Sequence, residues 1–423
     1  MIRVEKLAII IGLSDFGPGR ALYLSKILQK LGFVTTILTN SNVYVKDNQS
    51  INRNVVTFNL NWINYNALLG RIIFYILFSL LCFLALLKTI IHSRFKQILI
   101  IARHPYPLSI IISLLAKRLT NNNNRQVKVV ADVTDLWPES LLFMDDSFYV
   151  KFMIKVGIAI NKRVYPRVDA IIVHNYPFKL YVEKVYLSEG KTIPITIIPH
   201  VIDLSRFRPM TKNEAISRLE SLSHIDAELK QKLRTTTVIG YAGLISTTIG
   251  SELLPELIEQ LKDDKFTFVI VGEGPFKREL IKFVKMRKIN NVVFTGPFPH
   301  EVMTYVYNLF DVAVITSYFR ARIAPTIYWL PKKIVEYSSC GIPTMYVGLS
   351  KIIDHLLKKY NAGLVIKPEE MGLKTIIRYL NKIISHYAYF SLNARRMAEE
   401  EFSLEKATES MRRLLDILSE HEN

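Results

Sequence analysis

Cysteine is nearly absent: the 423 residues include only Cys82 and Cys340, far apart and each in an apolar context. A disulfide framework is therefore excluded, and the chain reads as a reduced, intracellular protein. Acidic residues are scarce too, 37 against 55 Lys and Arg, which gives a formal net charge of +18. The excess is concentrated early, since residues 1–205 hold 24 Lys and Arg against 12 Asp and Glu. Such a surface suits anionic lipid headgroups, phosphorylated substrates or nucleic acid. No RNA-binding aromatic motif, zinc-finger spacing or long basic arm accompanies it, which argues against nucleic acid. No Asp-x-Asp signature stands near a strand end, so neither an obligatory metal nor another cofactor is expected. A signal peptide is not expected either, because the apolar run Leu7–Leu13 is short and follows the mixed-charge MIRVEK.

What is present is apolar. Half of the chain is hydrophobic and the mean hydropathy is +0.19, with length enough for two domains with full cores. Leu7–Leu13 reads as a buried strand, followed by the loop SDFGPGR, a helix ending at Gly32 and a second strand, Phe33–Thr39. This unit opens a doubly wound α/β domain. Gly17 and Gly19 permit either a tight turn or close approach of a phosphate to the helix start.

The segment Ile72–Leu87 has no charge over roughly 16 residues, short of the ~20 that a spanning helix needs. A span would also split one sheet, because strand 1 precedes it and the remaining strands follow. Two readings stay open: a buried core helix, or a helix lying in a membrane interface with Phe74, Leu77 and Leu81 toward lipid. Arg71, Lys88, Arg94 and Lys96 at its ends, with Trp62, Tyr65 and Tyr75, favour the interface.

Further on, Gln97–Ala102 and Val127–Val133 read as strands. The first leads to the RHPYPLS loop, which places His104 at a candidate cleft edge or merely in a loop. The second ends in DVTDLWPES. Asp135 at a strand's carboxyl end stands where open α/β sheets bind ligands, and it has the chemistry of a proton acceptor or a helix cap. Trp137 there either stacks on a ligand or packs as core.

The most informative stretch is PKKIVEYSSCGIP, Pro331–Pro343. Pro331 suits a helix start, Gly341 and Pro343 a stop, and the following TMYVG a buried strand. Lys333 and Glu336 in it read either as an exposed i,i+3 ion pair or as functional groups.

That stretch resembles the donor-site helix of the retaining GT-B glycosyltransferases, family 4 of the sequence classification. The branch it is most similar to builds surface polysaccharides and lipid-linked glycans. The resemblance extends over nearly the whole chain: DLWPES, IPITIIPHVIDLSRFRP, the GEGP loop with Gly272 and Gly274, TGPFPHEVMTYVYNLFDVAVITS and a terminal helix opening at FSLEKA. It implies two doubly wound Rossmann-like domains facing a cleft. The N-terminal, acceptor-side domain spans residues 1–205, joined by a C-terminal helix at about 400–423, and residues 206–399 form the nucleotide-sugar domain. A hinge is expected near 203–212.

In that family the glutamate of this helix reads the ribose hydroxyls, a role that falls to Glu336. The partner acid of the usual pair is replaced by Tyr328. The usual donor-phosphate cations are replaced by Leu244 and Ile249, which leaves Lys333, Arg320 and Arg322 as substitutes. The nucleotide base is expected near Phe298 and Pro299. Asp135 and Lys333 are the catalytic candidates; Gly17, Gly19, Gly272, Gly274, Arg320, Arg322 and Glu336 would bind the donor. His104 and Trp137 would face the acceptor.

The implied activity is a hexosyltransferase that moves sugar from a nucleotide-sugar to a glycan acceptor, lipid-linked, with retention. Its expected place is cytoplasmic, on the anionic inner face of the cell membrane, in polysaccharide biosynthesis or protein glycosylation. The alternatives are a catalytically silent GT-B protein that binds membrane glycan and a sugar-nucleotide epimerase.

Overall fold

The computed structural model describes residues 6–12, 19–40, 54–60, 62–63, 68–104, 107–122, 124–143, 147–187, 192–221, 227–263, 265–317 and 330–420. Two compact units divide the chain, Met1–Val201 with Leu404–Asn423, and Ile202–Ser403. Both are doubly wound, and together they form the GT-B fold.

The first unit runs β1 (Lys6–Gly12), α1 (Arg20–Lys30), β2 (Phe33–Thr39), β3 (Asn54–Thr57), α2 (Leu68–Ile91), β4 (Gln97–His104), α3 (Pro107–Thr120), β5 (Gln126–Val133), α4 (Phe148–Val164), β6 (Ala170–Val173), α5 (Tyr176–Tyr181) and β7 (Ile195–Ile197). All seven strands are parallel, in the order β3-β2-β1-β4-β5-β6-β7. The apolar runs of the five inner strands, β2, β1, β4, β5 and β6, are buried on both faces, as a covered parallel sheet requires. On one face Leu24, Ile27 and Leu28 of α1 pack with Met411, Leu414 and Leu418 of the C-terminal helix Leu404–Glu420. On the other, α3 packs on β4 and β5, with α2 and α4 at its sides.

Helix α2 is two-sided although its sequence is apolar all round. Phe74, Phe78, Cys82, Leu86 and Ile90, four residues apart, form a buried stripe, whereas Ile72, Ile76, Leu80 and Leu84 are about half exposed. Phe74 thus faces the core rather than lipid, and the outward row is shifted from the residues expected there. Ile72–Ile91 is long and apolar enough to cross a membrane by length and composition. It nevertheless lies between β3 and β4 of one parallel sheet and packs against α3, which makes it part of the domain.

The second unit runs α6 (Lys212–Ser221), α7 (Ala227–Thr235), β8 (Thr237–Ala242), α8 (Leu254–Gln260), β9 (Phe266–Val271), α9 (Lys277–Met286), β10 (Val292–Gly296), α10 (Met303–Tyr307), β11 (Val312–Ser317), α11 (Lys332–Ser339), β12 (Thr344–Gly348), α12 (Lys351–Tyr360), β13 (Gly363–Ile366), α13 (Leu373–Ser385) and α14 (Tyr387–Phe402). Its six strands are parallel in the order β10-β9-β8-β11-β12-β13. The order reverses between β8 and β11. At such a switch point the strands' carboxyl ends leave a crevice for ligand.

Candidate functional site

Helix α11 is held in place at both ends. Pro331 is its N-cap in extended conformation. At the other end Gly341 takes φ +68°, with Gly341 N donating to Ser338 O and Ile342 N to Tyr337 O. These two bonds make a Schellman stop, which a residue with a Cβ would strain. Tyr337 fixes the rotation of the helix: its hydroxyl accepts from Ala242 N at 2.8 Å and donates to Ala242 O at 3.3 Å, at the end of β8.

That rotation buries Glu336 and aims Lys333 at the β8 loop. The i,i+3 pair of Lys333 with Glu336 expected as the bland reading does not form. Glu336 pairs instead with Lys332, Nζ to Oε1 at 3.1 Å. Its Oε2 accepts from the Tyr307 hydroxyl at 2.7 Å. Burial and the neighbouring carboxylate push the Tyr307 phenol well above its ordinary range, so it stays a donor.

Lys333 Nζ is buried and has no hydrogen-bond partner among the described residues. It lies 4.1 Å from the centroid of the Tyr241 ring. A Cβ on Gly243 would be 3.3 Å from it, so the ammonium stands directly before the β8 loop. A cation–π contact contributes up to about 2 kcal/mol, less than the several kcal/mol that burying an ammonium costs. The contacts of the ammonium with the described residues thus do not offset its burial.

Gly272 and Gly274 shape this loop from below. Their φ values are +129° and +159°, and a Cβ on them would fall 2.0 Å from Gly243 O and 2.2 Å from Ile245 O. Gly243 N donates to Val271 O and Ile245 N to Glu273 O. Both glycines thus support the loop by close backbone approach. Of the residues at the missing cation positions, Leu244 is exposed. Ser246 caps a short 3-10 turn, accepting from Thr248 N at 3.2 Å. Phe298 packs against the core of its unit.

His300 was not singled out by sequence. Its Nε2 lies 3.9 Å from Glu336 Oε1. Burial first, then Lys332, hold its pKa below the ordinary value, so it is neutral. The contact with Glu336 is therefore not an ion pair.

The first unit carries a second constellation at the carboxyl ends of β4, β5 and β6. Arg20 Nε donates to both Asp132 oxygens at 2.8 Å, and its Nη1 and Nη2 donate to Pro199 O and Ile198 O, both at 2.8 Å. This charge-assisted clamp ties the segment after β7 to the sheet. Arg103 Nε is 3.5 Å from Asp132 Oδ2, too loose for a hydrogen bond. The His174 ring meets His200 edge-on, with centroids 4.3 Å apart. Gly19 is the N-cap of α1. His104 ends β4.

Asp135 lies just beyond β5. Burial raises its pKa; hydrogen bonds from the Leu136 backbone and the Ser140 side chain oppose this. Trp137 O accepts from Asn161 Nδ2 at 2.7 Å and from the Tyr186 hydroxyl at 3.1 Å, and Glu139 accepts from Tyr181 and Tyr186. The DLWPES run is thus largely braced by its own domain. Gly17, Arg320, Arg322 and Tyr328 lie outside the described residues. Among the described residues no three His, Cys, Asp or Glu side chains come together as a metal-binding group.

His174 gives a prediction about stability. Its pKa is far below 6.5, because of burial and then Arg20, His200 and Arg103. The unfolded chain takes up this proton below about 6.5 whereas the folded one does not, so acidification favours unfolding by up to about 1.4 kcal/mol per pH unit. Urea unfolding between pH 7 and 5 is expected to show a falling midpoint, with a shallower fall in His174→Gln. An unchanged slope in that variant would mean that His174 is protonated in the folded protein.

Residues 226–397 match the family described as Glycosyl transferases group 1. No curated protein matches the chain. Among solved structures, it is similar to the sucrose-phosphate synthase of Thermosynechococcus elongatus, with a TM-score of 0.69 at 15% identity over 99% of this chain and 100% of that one. HepE of Anabaena in complex with UDP and glucose gives a TM-score of 0.66 at 14% identity, over 97% of this chain and 99% of that one. A glycosyltransferase of Rickettsia africae gives 0.63 at 15% identity, over 98% of each chain.

Proposed function

We propose that this chain, a GT-B protein with a group 1 glycosyltransferase domain, transfers a hexose from a nucleotide-sugar to a lipid-linked glycan. The observation that carries the reading is the unpartnered Lys333 ammonium, one residue round α11 from the Lys332–Glu336 pair. A nucleotide-sugar presents the two complementary groups: a ribose diol for the carboxylate and a diphosphate for the cation. Glu336 Oε1 retains a free acceptor site for a hydroxyl. Lys333 would take the charge that grows on the diphosphate as the glycosidic bond breaks, where Leu244 and Ile249 cannot. The family resemblance adds retention by front-side substitution, in which the leaving phosphate helps to take the acceptor's proton. Asp135, with its raised pKa, is the acceptor-side candidate for holding that proton.

The lipid-linked acceptor and the inner membrane face rest on the first unit's surface. The outward row of α2 is apolar, and α4 exposes Phe148, Tyr149, Phe152 and Val156 beside exposed Lys151 and Lys155. Apolar side chains next to lysines complement an anionic bilayer surface. Replacing Ile76, Leu80 and Leu84 by serine is expected to release the protein from phosphatidylglycerol vesicles without lowering its melting temperature. Unaltered flotation would remove α2 from the membrane contact.

The test of activity is transfer of labelled sugar from UDP-, GDP-, ADP- or dTDP-sugars to lipid-linked glycan, with the product anomer read by NMR. A retained anomeric configuration supports the reading. Donor binding without transfer or hydrolysis would favour the silent glycan-binding protein, for which the missing cations at 244 and 249 speak.

A further inference from the structure

We infer that His300 is a specificity residue of the donor site: with Glu336 it holds one ribose hydroxyl between its Nε2–H and the Oε1 oxygen. The inference rests on the donor reading above and adds a second reader of the sugar ring.

Two observations fix the state of the imidazole. Arg206 Nη2 lies 3.3 Å from His300 Nδ1 and donates to His300 O at 3.0 Å. A guanidinium can only donate, so Nδ1 is the acceptor and the proton of the neutral ring sits on Nε2. The groups around the ring agree: Lys332 and Arg206 disfavour a second proton, and burial outweighs the pull of Glu336 and Glu301. Phe207 closes one side, with ring centroids 5.6 Å apart.

The Nε2–H so defined is buried and has no hydrogen-bond partner among the described residues. Glu336 Oε1 lies 3.9 Å from it, beyond hydrogen-bond reach. A gap of this size suits two groups that share a third. An oxygen about 2.8 Å from each would subtend an angle near 90°, open enough to accept from the ring and donate to the carboxylate. A hydroxyl does both at once; a carbonyl or an ether oxygen cannot. Tyr307 and Lys332 occupy the other approaches to the carboxylate, which leaves this gap as a position defined for one hydroxyl. Arg206 is then a positioning residue, because it selects the tautomer without touching the ligand.

The test is calorimetric titration with UDP, 2′-deoxy-UDP and 3′-deoxy-UDP, of the full chain and of His300→Gln, His300→Asn and Glu336→Ala. Glutamine can place its amide N–H near the position of Nε2, whereas asparagine mimics Nδ1. Wild type is expected to discriminate against one deoxy analogue by about tenfold or more, the loss of a hydrogen bond to a charged group. His300→Gln should retain most of that ratio and His300→Asn should lose it, with both variants melting as wild type does. Equal discrimination in wild type and His300→Asn would overturn the role of His300 while leaving the donor reading intact. UDP binding that is unaffected by Glu336→Ala would instead overturn the donor reading, and the inference with it. Failure of UDP, GDP and ADP alike to bind folded wild type would do the same.

Discussion

Lys333→Met is expected to lower kcat for sugar transfer by about 10²- to 10³-fold while the protein becomes no less stable. The reason for the pairing of these outcomes is local. The ammonium is buried at the β8 loop with an aromatic face and, among the described residues, no hydrogen bond to compensate it. Methionine fills the same space before the Tyr241 ring without placing a charge there, so the melting temperature should stay level or rise. The same change removes the cation placed where negative charge grows on the leaving diphosphate. Activity falls and stability does not. A lower melting temperature with unchanged kcat would make Lys333 a structural residue.

Glu336→Ala is expected to weaken nucleotide binding by about 10- to 100-fold, the value of a hydroxyl bond to a carboxylate. It should also cost some stability, since the buried Tyr307 hydroxyl loses its acceptor. Glu336→Gln separates the two effects. The amide oxygen can still accept from Tyr307, so stability should return to near wild type. Affinity should recover only in part, because the amide nitrogen would then face the site. Both are measured on one sample by titration and melting. Wild-type affinity in both variants would take Glu336 out of the ribose role.

The sequence was informative where a single local motif governs the geometry. PKKIVEYSSCGIP announced a short helix with a glycine stop before a buried strand, and α11, Gly341 and β12 are these elements. Alternating apolar segments announced two parallel sheets for the same reason, since burial on both faces requires continuous apolar runs. What the motif could not show was its own rotation. Lys332 and Lys333 both lie within a turn of Glu336, and spacing alone does not say which one meets it.

Long-range pairs were equally invisible. Nothing near Arg20 in sequence points to Asp132, nor anything near His300 to Arg206 and Glu336. The same holds for His200, which packs against His174 just after β6. Helix α2 failed for the opposite reason. A segment apolar on every side carries no periodicity from which an inner and an outer face can be read, so Phe74 was placed outward when it faces the core.

The most direct measurement is calorimetric titration of the purified, folded chain with UDP-, GDP-, ADP- and dTDP-sugars, repeated with Glu336→Ala. A donor site on α11 requires that one nucleotide-sugar class bind the wild type and that its heat largely vanish in the variant. If no donor binds, or if the variant binds as tightly as wild type, the chain does not read nucleotide-sugars through Glu336 and the account of its chemistry fails.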